Sequence, residues 1–445
     1  MIDHQRLHQR LEKARLIQAS GVVLRVVGLA VVASGPAVPV GDTCHIITGR
    51  GEPRTALVTG FRGGEVILQP LGHLDGIRPG DQVIALDRPL SIPVGPGLVG
   101  RVIDGVGNPL DGKGPLLGSS RRGINADPPP ALGRTPIHRV LPTGIKSIDT
   151  LFTIGYGQRM GIFAGSGVGK STLLGEMAKH ATADVNVIAL VGERGREVGE
   201  FIDKVLGPDG LARSVIVVAT SDRPSVERLC AAYAATAIAE SFRDAGLEVL
   251  LMMDSVTRLC QAQREIGLAA GEPPVTRGYP PSSFAILPRL LERAGTGAVD
   301  PRTGKAGSIT AFYTVLIDGD DENDPVGDNV RAILDGHLFL SRRMAGQAIY
   351  PAIDPTLSVS RLLIDLARPE EYRLSLKTRE LLSEYERVRD LVEVGAYRQG
   401  ADPRVDRAIA CHHPLLNFLR QDMGQTFSRE QALGMLTGII GKEAA

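Results

Sequence analysis

Residues 159–172, RMGIFAGSGVGKST, run an apolar stretch into a glycine-rich turn that ends in Lys170 and Ser171. Glycine at 165, 167 and 169 removes side chains, so successive backbone N–H groups can curl around the phosphates of a nucleotide. Ala164, Gly165, Ser166, Gly167, Val168, Gly169, Lys170, Ser171 and Thr172 therefore form the candidate cradle. Lys170 reaches the outer phosphates, and the Ser171 hydroxyl is placed to ligate magnesium. The strict pattern has glycine where Ala164 stands; alanine fits if that position keeps a negative φ. The run TLLGEMAKH that follows puts Leu173, Leu174, Met177 and Ala178 on one side. It predicts a helix whose N-terminus attracts the anion.

Binding a phosphate is not yet chemistry, and two further strand ends supply the missing parts. VNVIALVGERGRE is an apolar run ending in Gly192-Glu193-Arg194. LEVLLMMDSVTR is another, ending in Asp254 with Arg258 one helical turn beyond. In a parallel α/β sheet, ligands bind at the carboxyl ends of the strands, so the three ends are expected in one crevice. Asp254 is the expected magnesium carboxylate, making its contact through water because magnesium keeps most of its waters. Glu193 is the candidate that polarises an attacking water, while Arg194 and Arg258 can neutralise the γ-phosphate.

At these residues the chain resembles the rotary ATPase family. GERGRE is similar to the GERTRE-type segment of catalytic rotary subunits, and Tyr350-PAIDPTLSVS-Arg361 to that family's run of a proline–small–aliphatic–acidic stretch and two serines. GRVIDGVGNPLDGKGP (100–115) and TGIKSIDTLFTIGYGQ resemble the segments that lead into the core. The similarity spans about residues 21–420. AGSGVGKST and ERVRDLVEVGAYRQGADPRVDRAI (386–409) resemble the type III protein-export branch, and within it the flagellar export ATPase.

The resemblance implies ATP as substrate, magnesium as cofactor and hydrolysis coupled to protein export. It implies that Arg361 is an arginine finger given to a neighbouring copy. Because Glu193 and Arg361 share one chain, a ring of identical copies has a complete site at every interface, which points to a homohexamer. It implies Tyr350 packing on the adenine ring. Gly395 stands where catalytic rotary subunits carry phenylalanine, and whether Tyr397 replaces it stays open. Further implied partners are a stator-like negative regulator at the N-terminus, a central coiled-coil stalk protein, the export gate, and export substrates with their chaperones. The implied location is cytoplasmic, peripheral at the inner face of the cell membrane. An acidic stretch at 319–325, GDDENDP, resembles the loop that faces the central shaft.

Three regions and a leading segment must position these residues. Residues 1–20 read as an N-terminal amphipathic helix, with Leu7, Leu11 and Ala14 on one face and arginines around it; a frayed, solvated terminus is the other reading. Residues 21–93 alternate β-type runs with Gly, Pro and Asp turns, predicting a small β-barrel. Residues 94–366 alternate strand and helix patterns, predicting a RecA-like, doubly wound α/β core. A proline-rich connector, ADPPPALGRTP, lies at 126–136, and TGAVDPRTGKAG (296–307) should be a loop. Residues 367–445 read as a helical domain, with Leu376, Leu381, Tyr385, Val388 and Leu391 near helical spacing.

Composition fits a cytosolic machine part. The 445 residues suffice for two or three domains, and 50 basic residues balance 50 acidic ones, so no global field recruits nucleic acid. Cys44, Cys230, Cys260 and Cys411 are scattered without metal-site spacing. No apolar run approaches the roughly 18 residues of a spanning helix. A hexameric RNA translocase would want aromatic platforms near its amino terminus, where residues 1–93 hold only Phe61. A non-catalytic ring subunit would lack the glutamate. A catalytic ATP-synthase subunit would leave Arg361 idle. The injectisome-type export ATPase shares every motif with the flagellar one, so these two stay open.

Overall fold

The computed structural model describes residues 18–49, 51–299, 301, 304–317 and 324–441. The leading amphipathic segment and most of the acidic 319–325 stretch lie outside the described residues. The chain divides into two compact units. One holds the residues up to Leu90 with Pro224–Glu227 and Glu265–Pro273; the other holds the rest.

Six strands close the first unit into a barrel: β1 (Ser20–Val27), β2 (Ala30–Ala33), β3 (Asp42–Ile47), β4 (Pro53–Arg62), β5 (Glu65–Pro70) and β6 (Gln82–Pro89). Their order is β1-β2-β5-β4-β3-β6, and closure leaves no edge to template aggregation. Val23, Val31, Ile46, Val58, Leu68 and Val83 fill its interior, so alternate residues along the strands point inward. The sixth strand, QVIALDRP, turns Val83 and Ala85 inward and pairs with both β1 and β3 to close the ring.

In the second unit, β7 (Ser91–Val94) pairs with β9 (Ser120–Gly123), while β8 (Val102–Asp104) joins the main sheet. The other strands of that sheet are β10 (Arg159–Ala164), β11 (Val185–Val191), β12 (Ser214–Ala219), β13 (Glu248–Asp254), β14 (Gly295–Thr296), β15 (Ser308–Leu316), β16 (Gly336–Leu340) and β17 (Val359–Ser360). Among the described residues the order is β17-β16-β10-β15-β13-β11-β12-β8, with β14 antiparallel on β15. All pairings from β16 to β8 are parallel, and β17 runs antiparallel on β16. This is the RecA-like α/β architecture. Every residue of β11 is buried, which is why VNVIALV reads as continuous apolar sequence: helices cover both faces of a parallel sheet. After β14, the described residues up to Gly307 form neither helix nor strand.

Three long helices follow the sheet: Pro369–Glu393, Pro403–Leu419 and Arg429–Gly441. Leu381, Leu382, Leu415 and Leu436 join one core with Ile148, Leu151 and Leu174. The buried stripe of the first helix differs from the expected one. It runs through Ser375, Thr378, Leu381 and Leu382, while Leu376 and Leu391 are exposed. Leu376 and Leu381 are five residues apart, which rotates them to different faces.

Candidate active site

The phosphate loop joins the end of β10 to the helix Lys170–His180. Gly167 and Gly169 take φ of 78° and 88°, left-handed values that favour glycine, and Gly169 is the N-cap of that helix. Ala164 is fully buried in β10 and has no positive φ, so alanine is accommodated as expected. Leu173, Leu174, Met177 and Ala178 are buried and anchor the helix. Ser171 is exposed at its first turn.

The parallel pairing of β10, β15, β13 and β11 brings the expected strand ends together. Lys170 Nζ donates to Asp254 Oδ1 at 2.5 Å and lies 3.6 Å from Glu193 Oε1. Burial alone would lower the lysine's pKa; the charges of Asp254 and Glu193 outweigh it and raise the pKa above the ordinary value. Burial also pushes the Glu193 carboxyl up to about 7, helped by the neighbouring Asp254 charge and opposed by Lys170. A carboxyl poised there is suited to handle a water at neutral pH.

The arginines separate into different places. Arg258 packs its stem on Gly192, where an added Cβ would stand 2.8 Å from the Arg258 Cβ. Its Nη1 donates to Gln261 Oε1 at 3.0 Å, and its buried Nε has no protein partner, leaving a donor beside the Glu193 strand end. Arg194 instead points to solvent: its side chain is 78% exposed, 3.5 Å from Glu197. Arg361 is at the other end of the sheet. Its N–H donates to the Asp335 carbonyl, and Asp335 N–H to that of Arg159, the first residue of β10. The phosphate loop leaves the last residue, roughly 17 Å away at strand rise. Arg361 is exposed and its Nη2 donates to the Arg331 carbonyl at 3.0 Å. It cannot serve its own phosphate loop.

Beside the loop opens a cavity of about 440 Å³, lined among others by Gly169, Thr172, Leu173, Tyr350, Gln421 and Met423. The Tyr350 ring lies 3.4 Å from where a Cβ on Gly169 would be, so it packs against the phosphate loop and offers its remaining surface to the cavity as a stacking face for a base. Tyr397 does not line this cavity; its hydroxyl is engaged with Asp406 and Asp402.

Magnesium fits this donor set. Ser171 offers an exposed hydroxyl, and Asp254 a carboxylate that already holds a cation, Lys170. Among the described residues no cluster of three His, Cys, Asp or Glu could cage a metal.

Comparison with known proteins agrees with this geometry. The ATP synthase alpha/beta family nucleotide-binding domain matches residues 144–360, and that family's beta-barrel domain matches 23–87. The T3SS EscN ATPase C-terminal domain matches 367–438. A flagellum-specific ATP synthase of Bacillus subtilis is 50% identical over 425 residues, 95% of each chain. A type 3 secretion system ATPase of Xanthomonas euvesicatoria is 51% identical, over 94% of this chain and 93% of its own. The assembled ATPase EscN from enteropathogenic E. coli, in complex with its central stalk EscO, superposes with a TM-score of 0.85. Its identity is 42%, covering 94% of this chain and 100% of that one. The chain belongs to the ATP synthase alpha/beta family, as a type III export ATPase. The flagellar and secretion relatives are equally similar to this export ATPase, so the comparison does not separate the two systems.

Residues 420–423 of the export ATPase were not singled out from sequence, yet they wall the cavity beside the phosphate loop. Gln421 N–H donates to the Tyr350 carbonyl at 2.7 Å. Its side chain accepts from Lys146 N–H and donates to the Gly144 carbonyl. Gly424 N–H donates to Glu176 Oε2 on the phosphate-loop helix. Met423 stands where an aromatic was sought. No local motif marks this segment; only its 275-residue closure onto Lys146 reveals it.

Proposed function

We propose that the chain hydrolyses ATP at interfaces between copies in a homohexameric ring, and so energises type III protein export for flagellar assembly. One observation carries this reading: Lys170, Glu193 and Asp254 meet in one crevice, while Arg361 emerges at the opposite end of the same sheet. A site that needs the arginine must take it from a neighbour.

In this reading the phosphate-loop N–H groups and Lys170 hold the β- and γ-phosphates, and Tyr350 with Met423 holds the base. Glu193 accepts a proton from, and aims, a water in line with the γ-phosphate. Arg258 and the neighbour's Arg361 neutralise charge that develops in the transition state. Arg194, exposed in the single chain, is the further candidate to neutralise the γ-phosphate. Ser171 directly and Asp254 through water would hold magnesium, which when bound screens the phosphate charge. The EscN–EscO complex supports a ring with a central stalk here too, met by the acidic 319–325 stretch. A stator-like regulator at residues 2–17, an export gate with its substrates and chaperones, and a cytoplasmic place against the inner face of the membrane complete the proposal. No described helix is long and apolar enough to cross a membrane.

The test is dilution. Specific activity should rise with protein concentration as rings form. Activity constant down to demonstrably monomeric protein would end the shared-site reading. The injectisome alternative has equal support in the Xanthomonas relative at 51% identity, and motility against secretion of a deletion strain decides between them.

A further inference from the structure

A buried hydroxyl has no part in the scheme so far. Thr314 is on β15, one residue beyond the Tyr313–Met253 pairing with β13, which places it beside Asp254. It is fully buried, and its Oγ1 lies 2.7 Å from Asp254 Oδ1. That same oxygen receives Lys170 Nζ at 2.5 Å. The other acceptor near the hydroxyl is the Met253 carbonyl, at 3.3 Å. A threonine has one proton to donate, and a charged acceptor outcompetes a neutral one, so the proton goes to Asp254.

We infer that Thr314 is a positioning residue to which the Asp254 carboxylate is handed over when Lys170 leaves it for the phosphates of the nucleotide. The inference rests on Lys170 being the phosphate lysine. Asp254 is only 3% exposed, so stripping Lys170 from it would leave a buried carboxylate short of a donor, which is costly. Thr314 removes that cost. It is held on a central strand between β10 and β13. Without the hydroxyl, Lys170 becomes the one described side-chain donor to Asp254, and the pair grips harder. Nucleotide must then compete for the lysine. Thr314 thus tunes affinity through Asp254 without touching the substrate.

The experiment measures equilibrium binding of a fluorescent ATP analogue, with and without magnesium, so that turnover does not enter. Thr314→Val keeps the shape and deletes the donor; affinity should fall about tenfold without magnesium, and less with it, where a metal-bound water would also donate to Asp254. Thr314→Ser, which restores the hydroxyl, should bind within about twofold of the parent. In an Asp254→Asn background, Thr314→Val should change affinity less than about twofold, because the group it acts through is gone. Parental affinity in Thr314→Val, or an equal loss in the Asp254→Asn background, would overturn the proposal. Should the valine variant not fold, Thr314→Ala takes its place in the same cycle. A Lys170→Ala protein that kept full affinity would instead defeat the phosphate-lysine reading, so the two failures are told apart.

Discussion

At the scale of single residues, the crevice is a small electrostatic balance: one lysine between two carboxylates. Removing Lys170 takes away both the phosphate contact and the cation that lets Asp254 and Glu193 coexist. Lys170→Ala should therefore abolish phosphate release and greatly weaken nucleotide binding, and near-normal turnover would show that another group holds the phosphates. Glu193 has the opposite profile. Glu193→Gln should bind nucleotide normally but lose two or more orders of magnitude in turnover, about 3 kcal/mol of barrier. Unchanged turnover, or lost binding, would count against it as the water-orienting group. Its raised pKa adds a pH test with a definite sign. The carboxyl carries a proton below about 7 and cannot accept one there. kcat/KM, which reports the free enzyme, should fall about tenfold per pH unit below that value. The step should be missing from the Glu193→Gln residual activity.

At the scale of elements, the cavity beside the phosphate loop is walled by a segment that follows the helix Pro403–Leu419 as well as by the loop itself. Gln421 ties that segment to Gly144, Lys146 and Tyr350, and its amide is engaged on both sides. Gln421→Ala removes the side-chain bonds while keeping the phosphate loop, Glu193 and Asp254 intact. KM for ATP should rise about tenfold with kcat within about threefold. A fall in kcat at unchanged KM, measured in the same steady-state series, would place Gln421 in the chemistry instead of the cavity wall. The first long helix buries Leu381 and Leu382 but not Leu376 for a related reason of packing. The face that matters is the one packed into the core shared with Ile148 and Leu151.

At the scale of the whole molecule, the separation of Arg361 from its own phosphate loop is what makes the proposed catalytic unit two chains. Arg361→Ala keeps its own pocket, so it should bind ATP yet lose about 10³-fold or more in turnover. Mixed with Glu193→Gln, itself inactive, it should partly recover activity. Some interfaces then pair an intact Glu193 with an intact Arg361. Absence of recovery under conditions where mixed rings are shown to form would mean that the two residues serve one site in cis, or that all sites must fire together. A Lys170→Ala and Glu193→Gln mixture is the control: both lesions lie on the same side of the interface, and an interface between the two is dead in either order.

The phosphate loop, the Glu193 and Asp254 strand ends and the barrel strands are local facts. Each is a few contiguous residues whose spacing states its own geometry, and parallel topology then carries the strand ends to one edge. Gly167 and Gly169 are legible because glycine alone takes a left-handed φ without steric cost, although Gly165 in the same loop does not take one. Tertiary structure alone decided what depends on distant pairing. It chose Met423 over Tyr397 for the cavity wall, since the return of the chain to Lys146 sets that wall. It turned Arg194 to solvent and Arg258 against Gly192, though both sit near strand ends in sequence. It placed Thr314 on the Asp254 carboxylate through strand order, and it sent Arg361 to the far end of the sheet because β17 runs antiparallel. Sequence spacing carries chemistry within an element; which elements are neighbours, and which way they run, is settled only by the packing of the fold.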